Sequence, residues 1–174
     1  MNKQKGYVSA VKDNLHKTVI DILEKPYSMF DMKICGRLDK DTTGLLILSN
    51  DGEFIHKITS PKKEVYKGYF VTTEKVISNL EELEKGVEIL VDKEKYFTLP
   101  AKTKYIDEHH FIIYIKEGKF HQVKLMVNAI NNNVVELERL SIGSLTLPES
   151  LKYGEYIELT EEEISKVFHN LESL

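Results

Sequence analysis

Apolar residues recur along this chain with two different periods. Leu45-Leu46-Ile47-Leu48 is an uninterrupted apolar run ended by Asn50-Asp51-Gly52, which predicts a short strand buried on both faces and closed by a turn. Alternation from Val65 to Thr73 places Val65, Lys67, Tyr69 and Val71 on one face of a second strand, with Tyr66, Gly68 and Phe70 on the other. Further strand-like runs cover Gly6 to Val11, Val87 to Val91, Thr98 to Ile106, His110 to Lys116, Val134 to Leu140 and Tyr156 to Leu159. Asp107-Glu108-His109 joins two of them as a predicted hairpin.

The helical period is shorter-lived. Thr18 and Asp21 form a capping-box-like pair ahead of Val19, Ile22 and Leu23, and Pro26 stops that helix. Asn50 or Asp51 caps a helix carrying Phe54, Ile55 and Ile58 that ends at Ser60-Pro61. Val76, Leu80 and Leu83 follow at helical spacing up to Gly86. A helix beginning near Lys119 or Phe120 buries Val123, Met126, Val127 and Ile130 and ends at Asn131-Asn132-Asn133, with His121 and Lys124 together on the neighbouring polar face. Thr160-x-x-Glu163 caps a last helix running to about Asn170. Many hairpin-spaced strands between few helices predict an α+β fold with a large, mostly antiparallel sheet.

Composition narrows the class. A length of 174 residues is enough for one domain or two intimately packed halves, and 41% hydrophobic with 30% charged residues is ordinary for a soluble globular protein. No apolar run approaches the roughly 20 residues of a membrane helix, and Lys3 and Lys5 are followed by no long apolar core of a secretory signal. The lone Cys35 makes no internal disulfide, so a reducing cytoplasm is the expected setting. A formal net charge of −4 argues against non-specific coating of nucleic acid. It leaves room for a local basic cleft, if Glu81-Glu82-Leu83-Glu84 and Glu161-Glu162-Glu163 are solvated faces elsewhere. His109 and His110, adjacent in a strand, point to opposite faces and are not expected to bind metal, and His56 is expected at the surface.

The chemistry concentrates between Gly36 and Gly52. Asp39 precedes the buried run, where a loop leaves a carboxylate reachable and a strand holds it still. Asp39, Asp41, Thr42 and Thr43 can serve simply as turn formers. The same residues fit a phosphotransfer motif, Asp-x-Asp-x-Thr, although Gly36 and Arg37 intervene between the preceding apolar residues and the aspartate. A calcium loop fits less well, with Thr43 where a third oxygen ligand belongs and Asn50 where a bidentate glutamate belongs.

The stretch from Gly36 to Gly52 closely resembles the signature of the RsuA-like pseudouridine synthases, and Asp39 matches that family's catalytic aspartate. The resemblance continues, in the family's order, through Asn2 to Val8, Lys67-Gly68-Tyr69, Gly118 to Lys124, Pro148 and Gly154-Glu155-Tyr156. It implies a single catalytic domain over residues 1–174 of the pseudouridine synthase fold, its halves being 1–60 with 141–174 and 61–140 around a central cleft, and no S4 domain. It implies an isomerase that turns a flipped-out uridine of ribosomal RNA into pseudouridine with no cofactor or metal. RNA or a pre-ribosomal particle is then the partner of a cytoplasmic monomer.

The implied catalytic set is Asp39, Tyr69 as the ring under the uracil, and Lys124 and Arg37 as cations holding Asp39 ionised, with Tyr66 excluded by its opposite face. Lys67, Lys119, His121, Gln122 and Arg139 are the implied RNA contacts. Lys119, Leu125 and Ser141 stand where relatives tend to carry arginine or another basic residue, which predicts weaker phosphate binding. Two rival functions follow from the same features: a non-catalytic RNA-binding remnant of this fold, and the Asp-x-Asp-x-Thr phosphotransferase.

Overall fold

A computed structural model describes residues 1–60 and 65–171. In chain order the elements are β1 (Asn2–Lys3), β2 (Lys33–Cys35), β3 (Thr43–Leu45), β4 (Ile47–Ser49), α1 (Gly52–Thr59), β5 (Lys67–Thr73), α2 (Leu80–Lys85) and β6 (Glu88–Val91). They continue with β7 (Glu94–Phe97), β8 (Lys102–Asp107), β9 (His110–Ile115), α3 (Gln122–Ala129), β10 (Val134–Ile142), β11 (Leu145–Thr146) and α4 (Glu161–Lys166). Seven strands form one sheet in the order β1-β3-β10-β5-β9-β8, with β11 also on β10. Within this sheet, among the described residues, only the β3–β10 pairing is parallel. This is the predicted α+β class with a mostly antiparallel, mixed sheet.

Two apolar layers cover the sheet. Tyr69, Val71, Phe111, Ile113 and Leu137 pack with Val123, Met126 and Val127 of α3 and Leu83 of α2. The second cluster joins Leu45, Ile47, Ile142 and Leu145 to Phe54, Ile55 and Ile58 of α1 and to Val167 and Phe168 beyond α4. The run at Leu45 to Leu48 feeds both layers, since Leu45 and Ile47 enter one cluster and Leu46 the other. It is not one strand, however. Leu46 exchanges hydrogen bonds with Met1, donating to its carbonyl at 2.9 Å and accepting from its amino group at 3.1 Å, so the chain leaves the large sheet and continues as β4 against β2.

Several predicted elements are altered by tertiary bonding. Gly6 to Val11 forms no strand; Gly6 donates to Lys40 at 2.9 Å and only Val8 bridges to Thr18. The Thr18 capping box is present, but it opens a 3-10 helix over Val19–Ile22. Asp51 caps α1, accepting from Glu53 and Phe54, and Pro61 lies outside the described residues. Val76 is exposed ahead of α2, and β7 pairs back on β6 through Asp92 and Lys93, both left-handed, so β8 starts only at Lys102. His121 sits outside α3 as its N-cap, and α4 stops at Lys166 instead of Asn170. Residues 156–159 form no strand, and the Tyr156 hydroxyl instead accepts from the Glu24 amide at 2.9 Å.

Candidate active site

The loop between β2 and β3 carries Asp39, and three buried features hold it. Its turn is closed by the Thr42 amide donating to the Asp39 carbonyl at 3.1 Å. Lys3, fully buried, donates from Nζ to the carbonyls of Thr42 at 2.8 Å, Gln4 at 3.1 Å and Lys40 at 3.3 Å. Burial pulls its ammonium down to about 8, against the pull of the Asp41 and Asp39 carboxylates. Gly44 then brings β3 against β10: its φ is +100°, and a Cβ there would lie 2.3 Å from the Arg139 carbonyl oxygen.

Arg139 is the third feature and a correction to the expected RNA contacts. It is 2% exposed, with Nε donating to the Leu45 carbonyl at 2.8 Å and Nη2 to the Gly36 carbonyl at 3.4 Å. It therefore ties the two ends of the Asp39 loop together, because its strand lies between β3 and β5 and points it under the loop.

The Asp39 carboxylate is half-buried. Its Oδ2 is 3.0 Å from Lys124 Nζ and its Oδ1 is 3.4 Å from His121 Nε2. Lys124 reaches it because Val123, Met126 and Val127 fix the buried face of α3, leaving Lys124 on the flank. The same ammonium bonds both Asp41 oxygens, at 2.7 and 3.0 Å. Burial disfavours charge on both groups, yet the Lys124 bond and charge hold the Asp41 carboxyl below its usual range, and Asp41 then Asp39 hold the Lys124 ammonium above its own. Asp41 had stood only as a turn or phosphotransfer residue in the sequence. Its sharing of Lys124 is visible only once α3 is placed.

Other expected residues separate clearly. Arg37 is exposed and makes no ion pair with Asp39, because the loop is pinned by buried Leu38, whose amide donates to Ser9 Oγ at 3.0 Å, while Lys124 arrives from α3 to fill the cation's place. Gln122 is 3% exposed and serves its own backbone: Oε1 accepts from the Lys119 amide at 2.9 Å and Nε2 donates to Glu117 Oε2 at 2.7 Å. It is therefore not an exposed RNA contact. Lys119 is exposed, with Nζ 4.4 Å above the Tyr96 ring. Lys67 is half-buried, its Nζ 3.5 Å from the Lys116 carbonyl, and burial together with the Arg139 charge lowers it to about 8.

Tyr69 pairs across β10 with Arg139, whose other neighbour is Gly44, which puts it about 10 Å from Gly44 at normal strand spacing. It belongs to the same buried cluster as Leu38 and Val123, the chain neighbours of Asp39 and Lys124. Its hydroxyl has no hydrogen-bond partner among the described residues. A cavity of about 490 Å³ lies elsewhere, between Tyr27, Leu48, Phe54 and Tyr156, and does not include Asp39. His109 and His110 are engaged through Nδ1 with the Thr73 carbonyl and the Asp107 carboxylate respectively.

A half-buried aspartate on a strand-anchored loop, paired with a helix lysine over a mixed sheet, is the arrangement to compare with known proteins. The family model described as RNA pseudouridylate synthase matches residues 1–129, and the chain belongs to that family, making it an isomerase. Among its relatives, the uncharacterized RNA pseudouridine synthase YtzG of Bacillus subtilis (strain 168) is 46% identical over a 170-residue alignment that covers 94% of this chain and 70% of that protein. Ribosomal small subunit pseudouridine synthase A of Escherichia coli (strain K12) is 43% identical over 169 residues, 96% of this chain and 72% of that protein. A solved crystal structure of pseudouridylate synthase superposes with a TM-score of 0.87 at 40% identity, covering 96% of this chain and 71% of the other. The chain is thus an RsuA-like pseudouridine synthase. No helix among the described residues is long and apolar enough to cross a membrane.

Proposed function

We propose that this chain isomerises one uridine of small-subunit ribosomal RNA, with Asp39 acting at the link between base and ribose. The observation that carries the reading is the Asp39 carboxylate itself, half-buried, with Lys124 at 3.0 Å and His121 at 3.4 Å. The reaction breaks the bond from base nitrogen to the sugar's anomeric carbon, turns the uracil, joins its carbon 5 to that carbon, and moves the carbon-5 proton to the vacated nitrogen. Nothing is oxidised or lost.

The remaining roles follow from position. The target base leaves its RNA stack to reach Asp39, at a cost of a few kcal/mol. Tyr69 is the ring against which uracil turns, and its unpartnered hydroxyl is free to exchange the carbon-5 proton. Exposed Arg37 braces the gap left in the RNA, and Lys67 and Lys119 face phosphates. The small-subunit target rests on the name of the Escherichia coli relative.

Tritium placed at carbon 5 of uridine is released by this reaction. Wild type should release it from small-subunit ribosomal RNA, and Asp39→Asn should not. A silent wild type on every ribosomal RNA would remove the activity, and release only from large-subunit RNA would remove the proposed target.

A further inference from the structure

Beside the Asp39 centre stands an aromatic side chain that neither the fold's core nor the isomerisation employs. Phe120 is 52% exposed. One face of its ring lies on His121, with centroids 3.7 Å apart and planes 22° from parallel. Since one face is covered and half the residue is open, the other face looks into solvent. His121 is in turn the residue whose Nε2 is 3.4 Å from Asp39. Phe120, His121 and Asp39 therefore form a short line from solvent to the proposed reacting carboxylate.

The line is preorganised. Gln122, buried, folds back to accept the Lys119 amide and donates to Glu117. Glu117 also accepts from the Leu99 amide at 3.0 Å and from the Tyr96 hydroxyl, fastening the Phe120 segment to the β6–β7 hairpin. Lys119 precedes the ring in the chain and holds its ammonium 4.4 Å above Tyr96, while Lys124 is engaged by the Asp39 and Asp41 carboxylates. An exposed ring already stacked on a second ring suits a flat, polarisable group on its open side. In single-stranded nucleic acid each base is such a group.

We infer that the outer face of Phe120 is a stacking subsite for a nucleobase flanking the modified uridine. This rests on the synthase reading above, because the occupant is the nucleotide next to the one held at Asp39. Successive nucleotides lie about 3.4 Å apart along a stacked strand and further apart when it is splayed. A base on the outer face of Phe120 lies about 7 Å beyond the His121 ring, the 3.7 Å ring separation plus one further stacking distance, which a splayed neighbour reaches. The subsite would select for an unpaired neighbour, since a base locked in a duplex cannot turn its face to the ring.

Steady-state tritium release from an unmodified small-subunit ribosomal RNA transcript tests it, with Phe120→Leu keeping the bulk without the ring and Phe120→Tyr restoring the ring. The expectation is a KM raised roughly 5- to 150-fold in Phe120→Leu, with kcat within threefold, and near-complete recovery in Phe120→Tyr. The same transcript made with 5-bromouridine should photo-cross-link to Phe120 in wild type. A role confined to supporting His121 would lower kcat and leave KM alone, which overturns the subsite. So would a KM within twofold of wild type in Phe120→Leu, or cross-links that avoid the peptide carrying Phe120. If wild type releases no tritium from any transcript, the synthase reading fails, and the cross-link alone then decides: at Phe120 it upholds a base-stacking surface, elsewhere it ends the proposal.

Discussion

Replacing Gly44 by alanine should separate the loop from its support and show how far the site depends on one close approach. A Cβ at this position would lie 2.3 Å from the Arg139 carbonyl oxygen and 2.7 Å from its nitrogen. Ordinary contact begins near 3.4 Å, so β3 must retreat by about 1 Å. The left-handed φ of +100° adds roughly 1–2 kcal/mol for any L residue. Weakening two hydrogen bonds of the β3–β10 ladder adds about 1 kcal/mol each. The total is about 3–4 kcal/mol, which for a chain of this size lowers Tm by roughly 6–16 °C.

Gly6→Ala provides the comparison, since Gly6 has a similar φ of +91° and nothing within 4 Å of its Cβ. It should lose only the backbone part, about 1–2 kcal/mol. Because the Asp39 loop leads directly into the displaced strand, Gly44→Ala should also lose about 100-fold in tritium release when assayed below its own Tm, a 1 Å misplacement being worth that much. Thermal melts of both variants and tritium release at low temperature supply the measurements. Equal stability losses, or full activity in Gly44→Ala, would refute the claim that contact with Arg139 positions the loop.

Lys3→Met leaves the Thr42, Gln4 and Lys40 carbonyls without their shared donor and should cost about 2–3 kcal/mol in urea denaturation while slowing tritium release. Asp41 is held below its usual carboxylate range by Lys124, so its contribution to stability is complete above the unfolded value near 3.9 and disappears as pH falls through the lower folded value. The stability gap between wild type and Lys124→Met should therefore be level from neutral pH to about 5 and narrow below about 4; a gap that widens with acid would contradict the pairing. Chelation with EDTA should leave tritium release unchanged, whereas magnesium-dependent phosphate release lost in both Asp39→Asn and Asp41→Asn would favour the phosphotransferase.

The α+β class, the strand carrying Lys67 and Tyr69, and the α3 stripe were legible because burial imposes a period that the side chains must obey. His121 and Lys124, three residues apart, were legible as neighbours for the same reason, and both meet Asp39. The residues assigned to RNA contact were harder. Arg139 and Gln122 read as surface residues by type, yet each satisfies backbone groups inside the fold. Nothing local in Asn2-Lys3-Gln4 signalled that Lys3 would be enclosed and clamp a loop 37 positions away.

Local pattern and motif chemistry thus determined the main elements, β5, β9, β10 and α3 among them, and placed Asp39 on a loop before a buried strand. These depend on periods of two to four residues, which sequence displays directly. Tertiary structure alone decided which cation would face Asp39, choosing Lys124 across 85 positions over Arg37 two residues away. Ion pairs and buried hydrogen bonds depend on which elements pack against one another, and β10 with α3 brought those partners together only when the sheet closed around Gly44.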